Sequence, residues 1–196
     1  MQTTSNYTKH NCRNPIQKVL VANFYRSLFS LFKRTRAASV LDVGCGEGVT
    51  INKLKESYPT LNVEGLDYSS EAIQIGKKVY PNLKLIQGDI YKLPYKDKSF
   101  DAVLCNEVLE HLDDPQKALG ELKRVTKKHL ILSVPNEPFF MFANLLRGKN
   151  IKRFGNHPEH IQHWTTFKFS QMLNKYKLKI ITKKHPFAWT VVLAQK

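Results

Sequence analysis

The 196-residue sequence has no apolar run approaching the roughly 20 uncharged residues that a membrane-spanning helix needs. Its start, MQTTSNYTKHNCRNP, lacks the apolar stretch of a secretory signal. A soluble, cytoplasmic protein is therefore expected. Cysteine is scarce: Cys12, Cys45 and Cys105 are an odd number, widely spaced and without a CxxC pair, which suits a reducing compartment and argues against a disulfide framework or a thiolate zinc site. Acid is scarce too, with 16 Asp and Glu against 31 Lys and Arg, and the deficit is uneven. Residues 1–41 carry seven basic residues and no acid, residues 42–137 carry thirteen against fifteen, and residues 138–196 carry eleven against one. A near-neutral middle with basic flanks would attract an anionic partner such as nucleic acid, a phosphorylated metabolite or an acidic membrane surface. The plain alternative is a lysine-rich solvated face. There are only nine glycines, yet three of them fall within five positions, Gly44, Gly46 and Gly48. No internal repeat or low-complexity tract is visible, and the length fits one domain with its own core, residues 1–196.

What is present is alternation. Ser39–Val43, Val63–Asp67, Leu83–Gln87, Phe100–Cys105 and Leu130–Val134 read as buried strands. Residues 49–58, 70–80 and 115–126 between them have helical spacing, with Asp114 as a cap and Pro115 in a first turn. This order predicts βαβ units and a mainly parallel sheet. Leu178–Lys184 and Ala188–Ala194 lie only a few residues apart around Pro186, which predicts an antiparallel hairpin at one edge. Two segments fall outside the alternation: an amphipathic helix over residues 14–34, within an N-terminal arm 1–36, and a long insert over 136–165 that reads as a lid or binding element. Within the insert Phe139, Phe142 and Leu145, spaced by three, are expected to form a core-facing helix stripe.

In an open α/β sheet the ligand lies at the carboxyl ends of the strands, where the strand order reverses, and VLDVGCGEG (residues 40–48) ends a predicted strand there. Glycines permit positive φ and let a ligand approach the main chain. A nucleoside triphosphate would want GxxxxGK[ST], and Lys53 comes too late for that lysine. A dinucleotide would want GxGxxG and a helix start open to pyrophosphate, whereas Asp42 and Glu47 place carboxylates near this loop. Those acids suit a ligand with an ammonium and a sulfonium, such as S-adenosylmethionine.

VLDVGCGEG resembles the first motif of the class I S-adenosylmethionine-dependent methyltransferases, and the likeness continues in order through VEGLDYS, IQGDIYKLPYKDKSFDAV, CNEVLEHLDDP and LILSVPN. The resemblance implies a Rossmann-like, doubly wound, seven-stranded α/β sheet, mostly parallel with a final antiparallel strand. It implies a cofactor site of Asp42, Gly44 and Gly46 in the loop, Asp67 on the ribose hydroxyls, Tyr68 beside the adenine, Asp89 and Ile90 at the adenine edge, and Asn106 facing the methionine part. The structural alternatives are that Asp67 merely caps the next helix and that Asp89 closes a turn after Gly88.

Glu107, Glu110 and His111 are spaced i, i+3, i+4, which puts them on one face if the segment after the fourth strand is helical. Downstream, HPEHIQHW offers His157, His160 and His163. Carboxylate and imidazole ligands without thiolate fit Mg²⁺, Mn²⁺, Fe²⁺ or Zn²⁺. The ExxEH pattern followed by a later histidine before a tryptophan resembles the metal-binding set of small-RNA 2′-O-methyltransferases, while EVLEHL also resembles ubiquinone-biosynthesis O-methyltransferases. On that likeness the ligands would be Glu107, Glu110, His111 and His160, with His160 chosen over its two neighbours arbitrarily. The alternative makes His111 a packing or general-base residue, with Glu110 beside it, and the later histidines polar groups of a lid. A hydroxyl acceptor needs such a base or a metal to shed its proton. The sequence also departs from the Pro-Pro-aromatic motif of exocyclic-amine methyltransferases, so oxygen is the expected acceptor atom. The acceptor itself stays open among a small molecule, which the short chain favours, an RNA end, and a quinone precursor met by peripheral contact with a membrane. Two other classes remain: a non-catalytic S-adenosylmethionine sensor would be expected to lose the acceptor-side cluster, which is present in the sequence, and a nicotinamide-dependent oxidoreductase is to be separated by binding of its own cofactor.

Overall fold

The computed structural model describes residues 15–196 apart from 147–149, 152–153 and 155–158. Residues 1–14 and His157 therefore lie outside the described residues. Among the described residues the first element is helix α1 (Pro15–Thr35), followed by β1 (Ser39–Val43), α2 (Val49–Ser57), β2 (Asn62–Asp67), α3 (Ser70–Val79), β3 (Lys84–Gln87) and β4 (Phe100–Asn106). A 3₁₀ turn (Leu109–His111) leads to α4 (Pro115–Val125), β5 (Thr126–Pro135), α5 (Glu137–Leu146), α6 (Thr166–Lys175), β6 (Lys179–Lys184) and β7 (Trp189–Gln195). Local chemistry starts several helices. The Asp114 carboxylate accepts the Lys117 N–H with Pro115 in the first turn of α4, Ser69 accepts the Ala72 N–H at α3, and Thr165 accepts the Lys168 N–H at α6.

The seven strands form one sheet in the order β3-β2-β1-β4-β5-β7-β6. β3, β2, β1, β4 and β5 pair in parallel, and β7 runs antiparallel between β5 and β6. This is the expected mostly parallel sheet with one antiparallel strand, and the hairpin at the edge is β6–β7. Because strand side chains alternate, neighbours in one strand serve opposite faces. Val40 and Leu104 pack with Phe24, Leu28, Ile51 and Leu54 from α1 and α2. Leu41 and Cys105 pack with Leu119 and Leu122 of α4 and Phe169 of α6. Each face is covered by helices, as a parallel sheet requires.

Three expectations change. β5 starts at Thr126, directly after α4, because the Thr126 hydroxyl donates to the Leu122 carbonyl at 2.6 Å and closes the helix while its backbone already pairs with Phe100. The segment after β4 is not a helix presenting Glu107, Glu110 and His111 on one face. Glu107 adopts φ 57°, outside helical space, and only Leu109–His111 make a short 3₁₀ turn. The Phe139–Phe142–Leu145 stripe does not face the core: the three are 54%, 56% and 39% exposed. Asn144 on the other side of α5 is buried and Phe140 is half-buried. No helix among the described residues is long and apolar enough to cross a membrane.

Candidate functional site

The chain builds β1, β2 and β3 in one direction across the sheet and then crosses to β4 on the other side of β1. The loops after β1 and β4 diverge at that switch point and leave a crevice. The glycine loop is its floor. The Gly44 and Cys45 N–H groups both donate to the Leu66 carbonyl, at 2.7 and 3.1 Å. Gly44 sits at φ +77° so close to Val108 that a Cβ would lie 2.2 Å from Val108 Cγ2. Only glycine satisfies both the torsion and the space.

Asp67 at the end of β2 clamps this loop. One carboxylate oxygen accepts the Gly46 N–H at 2.7 Å and the other accepts the Ser69 N–H at 2.8 Å. Ser69, not Asp67, caps α3. Carboxylate oxygens accept more than one hydrogen bond, so the clamp leaves Asp67 able to accept from a ligand. Asp42 is 2% exposed, and burial, helped by the nearby charge of Asp67, pushes its carboxyl up to about 8. A cation in the crevice would favour the ionised form of Asp42.

A cavity of about 1130 Å³ opens over the loop. Of the expected cofactor residues, Asp42, Gly44, Asp67, Tyr68, Asp89, Ile90 and Asn106 line it. Gly46 is not in the lining and contributes its N–H to Asp67 instead. Asp89 both lines the cavity and closes a turn, its Oδ1 accepting the Tyr91 N–H at 2.8 Å. Asn106, at the end of β4, has both side-chain polar atoms buried with no hydrogen-bond partner among the described residues. An orphaned buried amide costs about 1–3 kcal/mol, a cost that a hydrogen-bonding ligand would remove.

On the other side of the cavity, one ligating atom each from Glu110, His111 and His160 lies within 4.8 Å of the others. The Glu110 carbonyl accepts the Ile161 and Gln162 N–H groups at 2.8 and 2.9 Å, which brings residues 159–162 against the 3₁₀ turn. Both histidines are oriented through Nδ1. His111 Nδ1 lies 2.9 Å from the Glu159 carbonyl, and His160 Nδ1 lies 3.1 Å from Glu137 Oε1. A carbonyl or carboxylate oxygen only accepts, so Nδ1 carries the proton in each ring, and in the neutral imidazole Nε2 keeps the lone pair. Histidines that hold metals commonly use this arrangement. His111 Nε2 is 4.0 Å from Glu110 Oε1, and the two rings meet edge to face at 5.0 Å.

Glu107, expected in the same cluster, is not brought into it. Its Oε1 accepts the Ser133 hydroxyl at 2.9 Å and its Oε2 accepts the Trp189 indole N–H at 2.6 Å, tying β4 to β5 and β7. His163 turns to Glu137, 3.3 Å away, rather than to the cluster. Sequence reasoning missed Glu137, a buried residue whose carboxylate lies between the two imidazoles. Its only signal was its position, the last acid before a long basic stretch. The first helix was also missed as a wall, although Leu20, Val21 and Phe24 of α1 line the cavity.

Fold and crevice together define an α/β protein with an open, acid-lined crevice at the switch point of a doubly wound sheet. Residues 41–133 match the methyltransferase-domain family. The chain is similar to the demethylmenaquinone methyltransferase of Renibacterium salmoninarum, 40% identical over 88 residues that span 45% of this chain and 36% of that protein. Its fold is similar to that of a Pyrococcus horikoshii protein, with TM-score 0.75, 18% identity and 99% of each chain covered. It is also similar in fold to magnesium protoporphyrin IX methyltransferase of Synechocystis, solved with bound SAH, with TM-score 0.67, 19% identity, and coverage of 93% and 88% of the two chains. The likeness to methyltransferases in sequence rests on residues 41–133, just under half of the chain, and the chain spans less than half the length of the curated relatives it matches.

Proposed function

We propose that this chain transfers a methyl group from S-adenosylmethionine to an oxygen of a small acceptor. The observation that carries the reading is the juxtaposition, in one cavity, of an acid-lined glycine crevice with a proton-accepting cluster. The residues present fit the methyl donor. Asp67 would accept from the ribose hydroxyls, Asp89 and Ile90 would edge the adenine with Tyr68 beside it, and the partnerless Asn106 amide would meet the polar methionine end. Asp42 would contribute negative potential near the sulfonium. The donor supplies an already activated methyl group, so the protein's tasks are alignment and activation of the acceptor.

An acceptor hydroxyl must lose its proton as the carbon–oxygen bond forms. His111, with Nδ1 fixed on the Glu159 carbonyl, would take it at Nε2, and Glu110 at 4.0 Å would stabilise the resulting imidazolium. Alternatively, Glu110, His111 and His160 would hold a divalent cation, which would occupy the His111 lone pair and supply stabilisation of the alkoxide or phenolate in place of the base. The apolar and aromatic walls from α1 and Phe140 favour an acceptor with an apolar body. Isothermal calorimetry with S-adenosylhomocysteine tests the donor half, and NADH in the same assay tests the oxidoreductase alternative. A screen of hydroxyl acceptors with labelled donor, with and without chelator, tests the other half. Methyl transfer lost on Glu110→Ala and His111→Ala with adenosyl binding retained supports the assignment. Unchanged turnover in both variants would overturn it, and unchanged turnover under chelation would remove the cation.

A further inference from the structure

The cavity is walled by two helices whose outer faces are apolar. On α5, Phe140 and Asn144 turn to the cavity while Phe139, Phe142 and Leu145 turn outward, the two phenylalanines more than half exposed. On α1, Leu20 and Val21 line the cavity while Ile16 and Val19 are 69% and 59% exposed. The β6–β7 turn is joined to the start of α5 by the Asn136 N–H, which donates to the Ala188 carbonyl at 2.9 Å, and it adds exposed Phe187 beside exposed Lys184. Scattered surface apolar residues need no explanation, but a concentration of them around one opening marks a docking face.

Charge says what docks there. Among the described residues, α1 presents exposed Lys18 next to Val19, and the end of β6 presents exposed Lys183 and Lys184. A second copy would have to meet this positive charge with acids, and the flanking segments of this chain carry almost none. Single-stranded RNA would ask for stacking platforms with polar readers among them, whereas Ile16, Val19 and Leu145 are aliphatic and offer no π-face. Phenylalanine and aliphatic side chains on helix faces, accompanied by lysine, fit the headgroup and acyl boundary of an anionic bilayer. We propose that the mouth of the cavity docks on an anionic lipid surface through Phe139, Phe142 and Leu145 of α5 together with Ile16 and Val19 of α1. An acceptor resident in the bilayer would then reach the cavity without crossing water.

The proposal rests on exposure and charge rather than on the chemistry of the crevice, and its test needs no methyl donor. The full chain is sedimented with vesicles of phosphatidylcholine alone and of an equimolar phosphatidylcholine–phosphatidylglycerol mixture. The wild type is expected to partition onto the mixed vesicles more strongly than onto the neutral ones. Phe139→Ser and Phe142→Ser are each expected to weaken partitioning by roughly tenfold. Thermal unfolding of the variants should match wild type, since neither side chain is in the core. Equal partitioning of the double variant and wild type, equal binding to neutral vesicles, or no binding to either vesicle would overturn the proposal. So would the appearance, without vesicle binding, of a dimer or an RNA complex that the same substitutions abolish.

Discussion

Asp67→Ala should cost the protein its adenosyl ligand and loosen its glycine loop, and the two losses can be measured apart. In the structure the Asp67 carboxylate accepts the Gly46 N–H at 2.7 Å and the Ser69 N–H at 2.8 Å, and it lines the cavity. A hydrogen bond to a charged group is worth about 1.5–3 kcal/mol. Two such bonds from ribose hydroxyls would sum to about 3–6 kcal/mol, which is about 10² to 10⁴-fold in affinity. The loop clamp adds a stability loss of about 1–3 kcal/mol for each N–H that water does not reach. Titration of S-adenosylhomocysteine in the calorimeter reads the first loss, and urea unfolding of the unliganded protein reads the second. Asp67→Asn separates them further, because it keeps one acceptor oxygen for the loop but removes the charge and presents an NH₂ where an acceptor is needed. His160→Ala, on the far side of the cavity, should leave this affinity within about threefold. If Asp67→Ala and His160→Ala bind S-adenosylhomocysteine equally well, the crevice at the β1–β4 switch point is not the adenosyl site.

Asp42 predicts a pH dependence. Its folded carboxyl is held near 8, above the unfolded value of about 3.9, so the stabilisation is complete below the unfolded value and is lost as pH rises toward 8. Over that window, wild-type stability relative to Asp42→Asn should fall by at most about 1.4 kcal/mol per pH unit, and parallel urea-midpoint curves from pH 5 to 8 would refute this. Gly44→Ala should destabilise by about 2–5 kcal/mol, from a left-handed alanine plus the clash with Val108 Cγ2. The double variant Gly44→Ala/Val108→Ala should recover the clash but not the torsional part, as read by urea unfolding. Glu137→Gln should weaken Mn²⁺ binding by about 10- to 100-fold, because the carboxylate that orients His160 loses its charge, while S-adenosylhomocysteine affinity stays unchanged. A Mn²⁺ titration that is equal in both proteins would exclude Glu137 as the residue that positions His160.

What the sequence determined by itself was everything that repeats locally. Strand-length apolar runs, helical spacing and the Asp114-Pro115 start were legible because propensity, period and capping act over a few residues, and the ordered motifs placed Asp67, Asp89 and Asn106 at strand ends. The tertiary structure decided what depends on the path between segments. Glu107 looked equivalent to Glu110 at helical spacing, but a left-handed residue and the distant Trp189 and Ser133 took its carboxylate away from the cluster. His160 joined Glu110 and His111 only because the Glu110 carbonyl anchors a segment 50 residues further on. The Phe139 stripe reads the same whether it faces a core or open space, since helical period fixes which residues share a face but not what that face meets. Only the packing of α5 over the cavity turned it outward.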